Sequence, residues 1–152
     1  MKVIFYKAEQ GNWTDKLIAW WTSPFKHKLN GDWLKSYSHV ELLFSDGMMF
    51  SASQYENATR FTRRNPQSIA WVEVELDISW YEETLVRKFC QKHSGLKYDY
   101  VGVAGFVFGN PDESSKWFCS EICMVSLQSI GMFLDKDASK VSPNGMYRII
   151  TK

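Results

Sequence analysis

The sequence predicts an α+β fold: one domain with a small antiparallel sheet and a late amphipathic helix packed on one of its faces. Three observations lead there. Short segments of alternating polarity, separated by turn residues, fill the first half of the chain, whereas two helices with clear start signals occupy the second half. A hairpin signal, Ser45-Asp46-Gly47 between two apolar runs, sets neighbouring strands antiparallel. The length of 152 residues suits one domain and buries a sizeable core without disulfides or metal.

Taken in order, residues 3–8 read as a first strand, and Asn12 or Thr14 caps a short helix that carries Leu17, Ile18 and Trp21 on one side until Ser23-Pro24 stops it. Residues 25–35 form a basic, aromatic loop with Lys26, His27, Lys28, Trp33 and Lys35. Residues 37–44 and 48–53 pair across the turn, where Gly47 takes the left-handed position. If Phe44 faces Met48, then Glu41 faces Ser51 and His39 faces Ser53, so these four share a polar face while Val40, Leu42 and Phe44 point to the core.

Residues 59–64 are read as a short strand broken by Asn65-Pro66, and residues 70–76 as another with Val72, Val74 and Leu76 inward, which makes a sheet of four or five strands. Ser79-Trp80-Tyr81-Glu82 is a capping box opening a helix with Leu85, Val86, Phe89 and Cys90 on its buried stripe, ended by Gly95. Residues 98–108, apolar and punctuated by Gly, are a short helix or a packed loop. Residues 119–130 fit an amphipathic helix with Cys119, Ile122, Cys123, Ser126, Leu127 and Ile130 on one face, and residues 146–150 are expected to add a last edge strand.

Composition limits the function classes. The formal net charge is +1, from 18 Lys and Arg against 17 Asp and Glu, so no global field points to nucleic acid or to an acidic membrane. Three cysteines without a CxxC pair argue against a disulfide framework and fit a reducing compartment. The apolar run at the amino terminus is too short for a signal peptide and no window approaches a membrane span, so a cytoplasmic location is expected.

The chemistry-bearing residues are Cys119, in the first turn of a helix, and His39, in the middle of a strand. A thiol is a poor nucleophile until it ionises, and a helix start together with a neighbouring imidazolium are common ways to bring that about. Glu41, two residues along the same strand, shares the face of His39 and can orient its ring as the third member of a triad. Each residue also has a plainer reading, a small packing cysteine and an ordinary polar strand face. Cys90 and Cys123, within apolar helical stripes, are assigned to core packing. His39, Cys119 and Cys123 lack the paired spacing of a structural zinc site, no Gly-rich phosphate loop is present, and the cluster Arg60, Arg63, Arg64 reads as a solvated face; no cofactor and no metal are expected.

Tyr37-Ser38-His39-Val40-Glu41-Leu42, Asp46-Gly47 with Phe50-Ser51-Ala52-Ser53, Tyr98-Asp99-Tyr100 and Trp117-Phe118-Cys119-Ser120-Glu121, with Ser142-Pro143 and Tyr147 near the end, together resemble the circularly permuted NlpC-type papain-like group. That group includes YiiX-like proteins and, more distantly, the lecithin retinol acyltransferase-like enzymes. The resemblance spans roughly residues 36–125. It implies a permuted papain-like fold with the nucleophile helix on one face of the sheet, Cys119 as nucleophile, His39 as base and a polar orienting residue, used for hydrolysis of amide or ester bonds or for acyl transfer. Relatives often place a Glu or His on the strand after the hairpin, where this chain has Ser51, so Glu41 or Ser51 is the third polar residue. Chains of the His-Val-Glu-Leu form resemble bacterial and bacteriophage proteins, which implies a host cytoplasm or virion setting if the chain is phage-encoded.

The expected activity is therefore that of a thiol hydrolase on a peptide, a peptidoglycan fragment or an acyl ester. The Cys119 amide, with Tyr98 or Tyr37 as second donor, would hold the oxyanion. Trp33 and Trp117 are candidates for substrate contact. Two alternatives stand beside it: a catalytically silent module of phage or cell-envelope association that binds through residues 25–35, and a lipid acyltransferase with an apolar channel lined by Trp20, Trp21 or Phe106.

Overall fold

The computed structural model describes residues 1–23, 35–63, 69–99 and 116–152. Its sheet contains β1 (Lys2–Lys7), β2 (Tyr37–Leu43), β3 (Met48–Ser53), β4 (Ala58–Arg63), β5 (Trp71–Glu75), β6 (Lys97–Tyr98) and β7 (Lys116–Trp117). The order across it is β5-β1-β2-β3-β4-β6-β7, antiparallel throughout except for the pair β6–β7. The α+β class predicted from sequence is what the chain adopts. The strand count exceeds the expected four or five because β6 and β7, at two residues each, are too short to leave an alternating pattern.

The first strand lies inside the sheet, paired with β2 on one side and β5 on the other. Its alternation divides Val3 and Phe5, which join the main core with Val40, Leu42 and Phe50, from Ile4, which packs with Leu43, Met49 and Trp71 on the opposite face. Tyr6 is the cross-strand partner of His39, and Ile4 that of Glu41.

The hairpin register is the expected one, with Leu42 opposite Phe50, Leu43 opposite Met49, and Phe44 N–H donating to the Met48 carbonyl at 2.8 Å. Gly47 has φ +82°, as the turn requires. The β2–β3 ladder stops after these two pairs, whereas β3 pairs with β4 at six positions. Towards the His39 end a side chain replaces the ladder: the Ser51 hydroxyl donates to the Val40 carbonyl at 2.7 Å.

Four helices complete the described fold: α1 (Trp13–Thr22), α2 (Trp80–Lys92), α3 (Cys119–Gln128) and α4 (Pro143–Ile150). Asn12 with Asp15 and Ser79 with Glu82 form reciprocal capping boxes at the starts of α1 and α2. The buried side of α3 carries Cys119, Ile122, Cys123 and Leu127 against β2 and β3. The expected edge strand at 146–150 is a helix instead. Ser142 accepts from the Gly145 amide at 3.1 Å and Pro143 occupies the first helical position, a start signal that outweighs the strand-like pattern of Met146, Tyr147, Ile149 and Ile150. Among the described residues no helix is long and apolar enough to cross a membrane.

Candidate active site

His39 is on β2 and its Nε2 lies 3.0 Å from Glu41 Oε1. A carboxylate only accepts, so Nε2 carries the hydrogen and Nδ1 is left for a second partner. Cys119, the first residue of α3, is the neighbour that acts most strongly on the imidazole. Burial by itself would depress the basicity of His39. The charge and hydrogen bond of Cys119 oppose it, followed by those of Glu41, and the imidazole is pushed up to about 10. Strand alternation accounts for the His39–Glu41 contact, since residues i and i+2 share a face. α3 is packed over the point where β2 and β3 cease to pair, with the Cys123 sulfur 3.7 Å from the Val40 carbonyl and 3.8 Å from the Ser51 hydroxyl.

Glu41 is almost fully buried, its side chain 3% exposed. The same Oε1 that meets His39 accepts from Arg60 Nη2 at 2.7 Å, and Arg60 Nε reaches Glu56 Oε2 at 2.6 Å. Burial raises the Glu41 carboxyl, but the hydrogen bond and charge of His39 and then the charge of Arg60 hold it below the usual carboxylate range. Glu41 Oε2 and Arg60 Nη1 are buried without a hydrogen-bond partner among the described residues.

A cleft of about 210 Å³ opens over the polar side of this arrangement, with Tyr6, Asp15, His39, Glu41, Arg60 and Tyr98 among its walls. Asp15 is held by the Ser38 hydroxyl at 3.1 Å and the Asn12 amide at 3.0 Å, which fixes α1 against the strand that bears His39. Cys119 is only 1% exposed and does not line the cleft; the cleft reaches its imidazole partner instead.

The structure brings together Cys119, His39, Glu41 and Tyr98, the last buried at the cleft wall. Three other candidates lie elsewhere. The Tyr37 ring packs 5.3 Å from Phe5 and 4.7 Å from Tyr147, and burial, with a hydrogen bond to Tyr147, pushes its hydroxyl up to about 12, so it is a core aromatic rather than an oxyanion donor. Ser51 is fully buried with its hydroxyl turned into the gap between strands, towards Val40 O and Cys123, so Glu41 rather than Ser51 meets His39. Trp117 sits on β7 with its ring 6.0 Å from His93 and outside the cleft wall. Trp33, Phe106 and residues 100–115 lie outside the described residues, as does the side chain of Trp21, while Trp20 is on the exposed side of α1 and not in the cleft.

Sequence reasoning missed Arg60. Read as part of a solvated cluster, it is in fact 20% exposed and ion-paired with Glu41. The usable signal is its strand position, since Arg60 pairs with Ser51 and therefore falls in one row with Glu41. That row becomes visible only once the β3–β4 register is known. Cys90 and Cys123 are core residues as expected: burial pushes the Cys90 thiol up to about 12 and the Cys123 thiol well above the ordinary range. Among the described residues no group of three His, Cys, Asp or Glu side chains is placed to hold a metal ion. Comparisons with protein-family models, with curated proteins and with solved structures return no match.

Proposed function

We propose that the protein is a thiol hydrolase that cleaves amide or ester bonds through Cys119, His39 and Glu41. The observation that carries this reading is the 3.0 Å contact between His39 and the buried Glu41 carboxylate, on an imidazole whose basicity is raised most by its neighbour Cys119. In this scheme His39 takes the thiol proton and Cys119 attacks the carbonyl carbon. The tetrahedral oxyanion forms beside the first amides of α3, where the cap residue Phe118 has no side-chain acceptor to compete for them. Collapse expels the amine or alcohol, which takes its proton from His39, and water then attacks the thioester. Acyl transfer follows if an amine or alcohol replaces that water. The motif resemblance to the permuted papain-like group supports the same assignment, with peptides, peptidoglycan fragments and acyl esters as the substrate classes.

A second reading, a catalytically silent module on the same fold, is favoured by one observation: the Cys119 sulfur is buried at 1% exposure. Iodoacetamide at pH 6 separates the two, because an ordinary thiol with a pKa of about 8.5 is almost wholly protonated there. The hydrolase reading expects Cys119 to be alkylated first and His39→Ala to abolish that preference. Uniformly slow alkylation of Cys90, Cys119 and Cys123 supports the silent module.

A further inference from the structure

We infer that Arg60 is a positioning residue of this site, holding Glu41 so that one carboxylate oxygen is presented to His39 in a fixed direction. The inference rests on the hydrolase reading above and concerns what keeps its third residue in place. In the strand order β2-β3-β4 one whole strand separates Glu41 from Arg60. At about 4.8 Å per strand the two backbones stand roughly 10 Å apart, a gap that only a long side chain spans. The residue of β3 in that row is Ser51, small and turned into the strand gap, which leaves the path open.

Arg60 is held through two of its three guanidinium nitrogens, by Glu41 at Nη2 and by Glu56 at Nε. A planar guanidinium fastened at two points has one orientation, and it passes that orientation to Glu41 Oε1. A lysine reaching across the same gap has a single nitrogen for both carboxylates. The other titratable groups around His39 and Glu41 include Asp15 from α1, Tyr6 from β1, Tyr55 after β3, Tyr98 from β6, and Cys119 and Cys123 from α3. Arg60 is the cation whose hydrogen bond reaches Glu41 Oε1.

The test is the rate of Cys119 alkylation by iodoacetamide across pH 4.5 to 9 in the full chain, with folding followed by circular dichroism and thermal melting. Arg60→Met is expected to slow the reaction at pH 6 by about tenfold and to move its acid limb upward by about one pH unit, since Glu41 loses the cation that keeps it ionised. Arg60→Lys is expected to fall between, at roughly threefold, and Glu56→Gln to stay within about twofold. A purely structural arginine would lower the melting temperature without moving the limb. A folded Arg60→Met with the wild-type profile overturns the inference. If Arg60→Met does not fold, Arg60→Lys decides, and a wild-type profile there overturns it. The hydrolase reading fails separately, when wild-type Cys119 shows no His39-dependent reactivity at pH 6, and this inference then falls with it.

Discussion

Cys119 and Cys123 lie one turn apart on the same buried side of α3, yet their surroundings have little in common. The first is the neighbour that raises the basicity of the His39 imidazole most. The second points into the gap between β2 and β3, with its sulfur 3.7 Å from the Val40 carbonyl, 3.9 Å from that of Phe50 and 3.8 Å from the Ser51 hydroxyl. Carbonyl oxygens suit a protonated thiol and repel a thiolate, and burial followed by the nearby charge of Cys119 raises Cys123 further. A single helical turn, about 5.4 Å, therefore separates a cysteine that acts on an imidazole from one enclosed by carbonyl oxygens. The helix is the same in both cases. What differs is what the strand offers it.

The largest expected effect breaks the comparison outright. With an activated ester such as p-nitrophenyl acetate, Cys119→Ala should remove the acyl-enzyme burst and slow turnover by at least about a thousandfold, because no other thiol has a base beside it. Cys123→Ala should leave turnover within severalfold. Equal losses in the two variants would mean that α3 is needed only as a scaffold.

His39→Ala should come next, with alkylation of Cys119 at pH 6 falling by about a hundredfold while Cys123 stays slow in both proteins. Glu41→Gln should cost about tenfold in the same assay. It should also destabilise the fold by roughly 1–3 kcal/mol in urea, since it strips a charged partner from Arg60 in a largely buried row. Retention of full reactivity in Glu41→Gln would show that His39 is oriented by its packing on Trp71, 6.2 Å away between ring centroids, rather than by the carboxylate.

The pH dependence of stability follows from the raised basicity of His39. Its folded value of about 10 lies above the unfolded value of about 6.5, so its contribution is complete below pH 6.5 and is lost as pH rises towards 10. The wild-type melting temperature should decline across that window, and His39→Gln should flatten the decline. Glu41 acts in the opposite sense: its folded value is depressed, so its contribution is present above its unfolded value of about 4.3 and is lost as pH falls further. The smallest effect is that of Cys123→Ala on stability, about 1 kcal/mol for one deleted sulfur in a packed core. It sharpens the comparison by showing a cysteine whose value is measured in packing alone.

Much of this site was legible before folding. Residues i and i+2 on a strand face the same way, which brought His39 and Glu41 together on paper. The Asp46-Gly47 turn set the register, and the apolar spacing after Phe118 marked the helix that opens with Cys119. The misreadings of Tyr37, Ser51 and Arg60 have a shared cause. Each depends on a neighbour distant in sequence: Tyr37 on Tyr147, Ser51 on the loss of the ladder beside Val40, and Arg60 on the β3–β4 pairing. The segment at 143–150 failed for another reason, since Met146, Tyr147, Ile149 and Ile150 fit a strand or a helix equally and the start signal at Ser142-Pro143 went unused.

By itself the sequence determined the fold class, the hairpin register, the capped helix starts and the candidate pair of thiol and imidazole, because caps, turns and alternation are decided by residues a few positions apart. Only the tertiary structure decided that β2 and β3 separate where α3 presses on them, that Arg60 crosses a strand to reach Glu41, and that the Cys119 sulfur is buried while His39 lines the cleft. Those outcomes depend on how elements remote in the chain share volume and charge, and no local pattern encodes that balance.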